Sequence, residues 1–118
     1  MVYPYITKML TVKDFSITNL VVYYDRSDKK YEVYFTIRNL GTEDITGIKA
    51  SIDGMEIEFN PQLSDDFSLS SGGEYSLHGT TTEEVGSAPS GYKVFVVEVE
   101  FADGSTVVRT YEVLVRKK

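Results

Sequence analysis

Only a few residues in this 118-residue chain are of the types that catalyse reactions. His78 is the sole histidine, and cysteine is absent. A catalytic histidine needs a nucleophile and an orienting carboxylate within hydrogen-bonding reach. Serines are frequent in the loops, but no spacing in the sequence assembles such a group around His78. The pattern therefore predicts a structural or solvent-facing role for this residue.

Carboxylates are the other side chains that could bind or react. The clusters Asp65-Asp66 and Glu83-Glu84, together with Asp53, could supply oxygen ligands for calcium, but the Asp-x-Asp-x-Asp-Gly spacing of a calcium loop is missing. Glycoside hydrolysis needs two carboxyl groups about 5 to 9 Å apart across a cleft, and no sequence feature places a pair in this way. We therefore expect a chain that is not an enzyme and has no catalytic residue, no cofactor and no metal site.

Composition narrows the class of partner. The net charge of −6 argues against nucleic acid, because phosphate binding requires a basic surface. No apolar run approaches the roughly 20 residues of a membrane helix. The length suits one domain over residues 1–118. We expect contact with a membrane only through an anchor that is absent from this chain.

The elements that must position these side chains are β-strands. Large apolar residues alternate with polar ones in residues 31–37 and 48–52, and such alternation indicates strands with one buried face. Asp53-Gly54 and Ala102-Asp103-Gly104 predict tight turns between strands. Seven strands are expected, the fourth continuing into a short hairpin partner, at residues 5–11, 14–24, 30–39, 45–52 with 55–59, 74–78, 92–101 and 105–116.

This arrangement predicts an all-β fold, namely an immunoglobulin-like β-sandwich of about seven antiparallel strands and under about 10% helix. In residues 14–24 one parity contains Phe15, Ile17, Val21 and Tyr23, and Asn19 marks a bulge or a break. Arg109 shares the apolar parity of the last strand, so either a bulge shifts the register there or Arg109 lies near the rim. The residues expected in the core are Val33, Phe35, Ile37, Ile48, Phe95, Val97, Val99 and Val113.

One exposed apolar surface is predicted. Tyr34 has the opposite parity from Val33 and Phe35, and Val94 and Val96 interrupt the polar face of their strand. In an immunoglobulin-like sandwich these two strands belong to one sheet, so Tyr34, Val94 and Val96 are the predicted interface for self-association or for a partner protein. Tyr24, off the parity of Tyr23, is expected to point outward as well. In the alternative interpretation these residues are scattered or lie under the loop at 80–91.

Several corners of the chain resemble a known family. Residues 37–42, with Asn39-Leu40-Gly41, and residues 48–54 resemble the N-x-G corner of CARDB-like immunoglobulin folds from archaeal and bacterial surfaces. With Ser71-Gly72-Gly73 and the turn at 101–105, the chain is similar over about residues 31–115 to the soluble domains of the archaellum accessory proteins FlaF and FlaG.

This resemblance implies a function and a location. It suggests a non-enzymatic, structural component of the archaellum stator, outside the cytoplasmic membrane, at the cell surface or in the pseudo-periplasm. Expected partners are surface-layer proteins, other archaellum proteins or a second copy of the chain. The alternatives are a general extracellular adhesion or spacer module of immunoglobulin type, and a carbohydrate-binding sandwich.

Overall fold

The computed structural model describes residues 11–86 and 91–118, and the strand predicted at residues 5–11 lies almost entirely outside them. These ranges contain no helix, and hence none that could cross a bilayer. The all-β class is confirmed, and the described ranges contain seven strands, one of which is residues 55–59, expected as a hairpin partner of the fourth strand. The seven strands are β1 (Phe15–Asp25), β2 (Lys30–Asn39), β3 (Ile45–Ile52), β4 (Met55–Phe59), β5 (Glu74–Thr81), β6 (Tyr92–Phe101) and β7 (Thr106–Lys117).

The strands close into a barrel in the order β1-β2-β5-β4-β3-β6-β7. Two contacts close it. The Asp53-Gly54 hairpin brings β4 against β5, and the end of β1 pairs with the end of β7, Val22 lying beside Val115. The β1–β7 pairing is parallel. The prediction of an immunoglobulin-like sandwich of antiparallel strands is therefore wrong, because hydrogen bonding continues around the barrel and one pairing is parallel.

The barrel interior is filled by the alternate residues of each strand. All eight residues predicted for the core are buried, which confirms the parity assigned to β2, β3, β6 and β7. The rings of Phe35 and Phe95 meet edge to face with centroids 5.3 Å apart, which is a favourable aromatic geometry. Residues from opposite sides of the barrel thus share one core.

A bulge in β1 changes which residues face outward. Asn19 has a φ of 55°, and the β1–β2 register shifts between Thr18 and Val21. One extra residue in a strand reverses the faces of all that follow it. The prediction that Tyr24 points outward is therefore wrong: Tyr24 is buried, and Tyr23, which shares the sequence parity of the buried Phe15, lies on the outer surface.

The corner after β2 is held by Asn39. Its buried side chain donates to the carbonyls of Glu43 and Leu69, at 2.8 and 2.9 Å, and accepts from the Gly41 amide at 2.9 Å. A Cβ on Gly41 would lie 2.2 Å from the carbonyl oxygen of Val12. Glycine is thus required at position 41 because the backbone of Val12 is close. At the turn between β3 and β4, Asp53 and Gly54 adopt the positive φ that a tight turn needs.

Arg109 lies at the rim of the seam where β1 and β7 diverge. The β6–β7 register is continuous through Arg109, so of the two alternatives the bulge is wrong. The guanidinium carbon lies 4.4 Å from the centroid of the Phe15 ring, and the group donates to the Phe15 carbonyl and the Asp14 carboxylate. The hydrogen bond from Arg109 to the Asp14 carboxylate, together with one from the Phe15 amide, lowers the pKa of Asp14. Arg109 therefore bridges two strands that do not pair directly there.

Candidate binding site on the outer face of β1, β2 and β5

Three neighbouring strands bring aromatic and charged side chains together on the outer face of the barrel. Tyr23 of β1 lies opposite Glu32 of β2, and Tyr34 lies opposite His78 of β5. The rings of Tyr23 and Tyr34 meet edge to face with centroids 6.2 Å apart. We call these four residues, with Lys118, the Glu32 site.

Glu32 has an unusual environment for an outward-facing residue. It has the parity of the solvent side, yet it is only 8% exposed. Lys118 Nζ donates to its Oε2 at 2.8 Å, and the Tyr34 hydroxyl donates to its Oε1. Burial of a carboxylate is unfavourable unless it is paired and hydrogen-bonded, and these two donors meet that requirement.

The electrostatics of the site favour an ionised carboxylate. The hydrogen bond from Lys118 lowers the pKa of Glu32, that from Tyr34 lowers it further, and these effects outweigh the opposing effect of burial. The same contacts raise the pKa of Lys118 and that of the Tyr34 hydroxyl. Glu32 and Lys118 therefore form a charged pair at neutral pH.

His78 supports the site by packing. Its ring stacks on Tyr34 with centroids 4.4 Å apart and planes 14° from parallel. The His78 Nε2 atom is buried, lies 3.5 Å from Glu32 Oε1, and makes no hydrogen bond to any described residue. Ser76, on the same face, hydrogen-bonds to Thr36 at 2.9 Å. These contacts include no nucleophile–base pair, and a structural role for His78 stays a prediction.

The barrel does not bring the three predicted interface residues together. Tyr34 is 38% exposed at the Glu32 site, whereas Val94 is 46% exposed and Val96 half-buried on β6. Strands β1 and β7 separate β2 from β6 on one side, and three strands separate them on the other. The three residues therefore form no common face, and a role for any of them in an interface stays a prediction.

The candidate calcium ligands lie outside the Glu32 site. Asp53, Asp65 and Asp66 are exposed in turns and loops. Across residues 11–86 and 91–118, no group of three or more His, Cys, Asp or Glu side chains could hold a metal ion.

Comparison with known proteins identifies a similar fold only. No family model and no curated protein matches the chain. Among solved structures, the copper-bound PCuAC domain from PmoF2 matches with a TM-score of 0.58 and 15% identity, over 93% of this chain and all of that domain. The CARDB domain of PF1109 from Pyrococcus furiosus, in complex with di-metal ions, matches with a TM-score of 0.42 and 17% identity, over 94% of this chain and all of that domain.

Proposed function

We propose that this chain is a non-enzymatic binding module that holds a protein partner on the outer face of β1, β2 and β5. The observation that supports this proposal most directly is the buried, ionised Glu32 on a face that otherwise meets solvent. An exposed tyrosine beside it, Tyr34, supplies the kind of side chain that is enriched at protein interfaces.

The chemistry of the Glu32 site favours binding over catalysis. A general acid or base works best when its pKa is near the working pH, and the pKa of Glu32 is instead lowered. Both of its oxygens already accept hydrogen bonds from the chain itself. A carboxylate in this state holds a cationic group in place and does not exchange protons near neutral pH.

Copper, which the PCuAC domain holds, does not fit the residues described here. Copper sites use imidazole, thiolate and thioether ligands. His78 is the sole histidine and faces Glu32, and Met55 packs against the core at the opposite end of the β4–β5 region. We therefore derive no function from that metal.

The proposed role in the archaellum and the location at the cell surface rest on the sequence resemblance alone. The fold itself accounts for the residues that carry this resemblance: Asn39 binds the corner backbone, and Gly41 permits close contact. A carbohydrate-binding role at the Glu32 site needs a ring face open to a sugar, and the Tyr34 ring is stacked on His78 there. Archaellin and motor genes beside this gene would favour the archaellum role.

Site-specific crosslinking tests the proposed face. A photoreactive benzoylphenylalanine replaces Tyr34 in one variant and Val94 in another, so that each side of the barrel carries one probe. We expect a defined partner to crosslink at position 34 and not at position 94. With that partner purified, calorimetry should show binding at least about tenfold weaker for Tyr34→Ala. Loss of binding with Val94→Ser alone would refute the assigned face.

A further inference from the structure

The Glu32 site is concave on the outer surface of the barrel. Val21, Tyr23, Glu32, Tyr34 and Lys118 line one open depression. We infer that this pocket binds the side chain of a lysine from a partner protein, with the Glu32 carboxylate as its anchor and Lys118 as the internal group that occupies it until the partner binds. This inference rests on the proposed function, because it names the chemistry by which that face recognises a partner.

The need for a cation follows from the burial of Glu32. Its side chain is 10% exposed, and an ionised carboxylate at that depth requires a positive partner. In this structure Lys118 supplies the charge at 2.8 Å. The chain as a whole has a net charge of −6, which attracts a basic partner over a longer range.

The geometry of the acceptor oxygens selects ammonium over guanidinium. Glu32 Oε1 accepts from the Tyr34 hydroxyl and lies 3.5 Å from His78 Nε2, so only Oε2, which accepts from Lys118 in this structure, can pass to a ligand. Arginine binds carboxylates best through two parallel hydrogen bonds to both oxygens, whereas lysine binds as a point charge. The single oxygen that Lys118 can release therefore suits another lysine.

Lys118 is placed to exchange with an incoming lysine. Its side chain is 53% exposed, in contrast to that of Glu32, so the ammonium is the accessible member of the pair. Asp25 Oδ2 lies 3.9 Å from Lys118 Nζ, on the edge of the site. A displaced Lys118 thus keeps an acidic neighbour, which lowers the free-energy cost of the exchange.

A titration followed by NMR tests this inference. The probe is N-α-acetyl-L-lysine N-methylamide, and the observed signals are the amides of Glu32, Tyr34 and His78. Lys118→Ala should bind the probe about tenfold more tightly than the unmodified chain, because the internal ammonium no longer competes. Lys117→Ala, a change in the neighbouring exposed lysine, is the matched control and should bind like the unmodified chain. The double variant, with Glu32→Gln added to Lys118→Ala, should show no saturable binding of the probe.

Two analogues of the probe test its chemistry. Acetylation of its ε-amine should abolish binding. The arginine analogue should bind several-fold more weakly, because Oε1 stays bound to Tyr34 and only Oε2 can be released. If Lys118→Ala does not fold, the ε-methylene signal of Lys118 in the unmodified chain gives the same information: saturating probe should move it to the position of a solvent-exposed lysine. Absence of saturable shifts in both experiments would overturn the inference, even if a partner crosslinks at position 34.

Discussion

Replacing Asn39 with alanine should destabilise the barrel strongly. The side chain is fully buried, and its loss leaves the buried Gly41 amide without a partner. It also removes one of the two hydrogen bonds of the Leu69 carbonyl, which still accepts from the Ile45 amide. An unpaired buried group costs about 1–3 kcal/mol and a lost hydrogen bond about 0.5–1.5 kcal/mol, so the expected loss is about 1.5–4.5 kcal/mol in the free energy of unfolding. The third contact, to the Glu43 carbonyl, adds less because that group is partly exposed and can bind water. The total free energy of unfolding of a typical domain is about 5–15 kcal/mol.

Urea unfolding followed by far-ultraviolet circular dichroism measures this loss, since the chain has no tryptophan to serve as a fluorescent reporter. Leu40→Ala, at an exposed neighbouring position, is the control and should change stability by under about 0.5 kcal/mol. Asn39→Asp keeps the acceptor for Gly41 but directs a carboxylate at two carbonyl oxygens, so it should be at least as destabilising at pH 7. A loss below about 1 kcal/mol for Asn39→Ala, with an unchanged urea slope, would refute this account of the corner.

Three further outcomes are expected. Gly41→Ala should cost about 2 kcal/mol or more in urea unfolding, because its Cβ would lie 2.2 Å from a backbone oxygen, whereas Gly86→Ala, with nothing within 4 Å, should be neutral. Phe95→Ala should cost about 3–5 kcal/mol by the same assay, and a cost below about 1 kcal/mol would show that its ring is not in the core. The stabilising effect of Glu32, whose folded-state pKa is lowered, is present above its unfolded pKa of about 4.3 and is lost as the pH falls further. The melting temperature should therefore fall less between pH 7 and pH 3 for Glu32→Gln than for the unmodified chain. Equal falls in melting temperature would contradict this pKa shift.

Local features of the fold were predictable from the sequence. Asp53-Gly54 forms the turn that its residue types favour, because both adopt positive φ at low cost. The alternation in β2 placed Val33, Phe35 and Ile37 correctly in the core. Such features depend on neighbouring residues alone, so a short stretch of sequence contains all the information they need.

The end of β1 shows where local information was insufficient. Asn19 indicated a bulge or a break, but the sequence did not reveal that one extra residue reverses the faces of Val21, Tyr23 and Tyr24. That reversal depends on how β1 pairs with β2 beyond the bulge. Tyr23 therefore shared a parity with Phe15 in the sequence, although it lines the outer site.

Closure of the barrel and the Glu32 site depend on contacts between distant segments. The parallel contact of β1 with β7 joins the two ends of the described chain and leaves no pattern in either strand. Alternation correctly assigns Glu32 to the outer face, but its burial comes from Tyr23, His78 and Lys118 on other parts of the chain. The only local signal was an acidic residue within a run of aromatic and β-branched residues, which is common on exposed strands.

The pKa of the Glu32 carboxyl group tests most directly whether this site binds an ammonium group. Carbon-13 NMR of the side-chain carboxyl can follow its titration in the unmodified chain and in Lys118→Ala. We predict a pKa below the ordinary glutamate value in the unmodified chain, a higher value in Lys118→Ala, and a return to a low value when acetyl-lysine methylamide saturates that variant. A pKa in Lys118→Ala that does not respond to the probe would contradict the account.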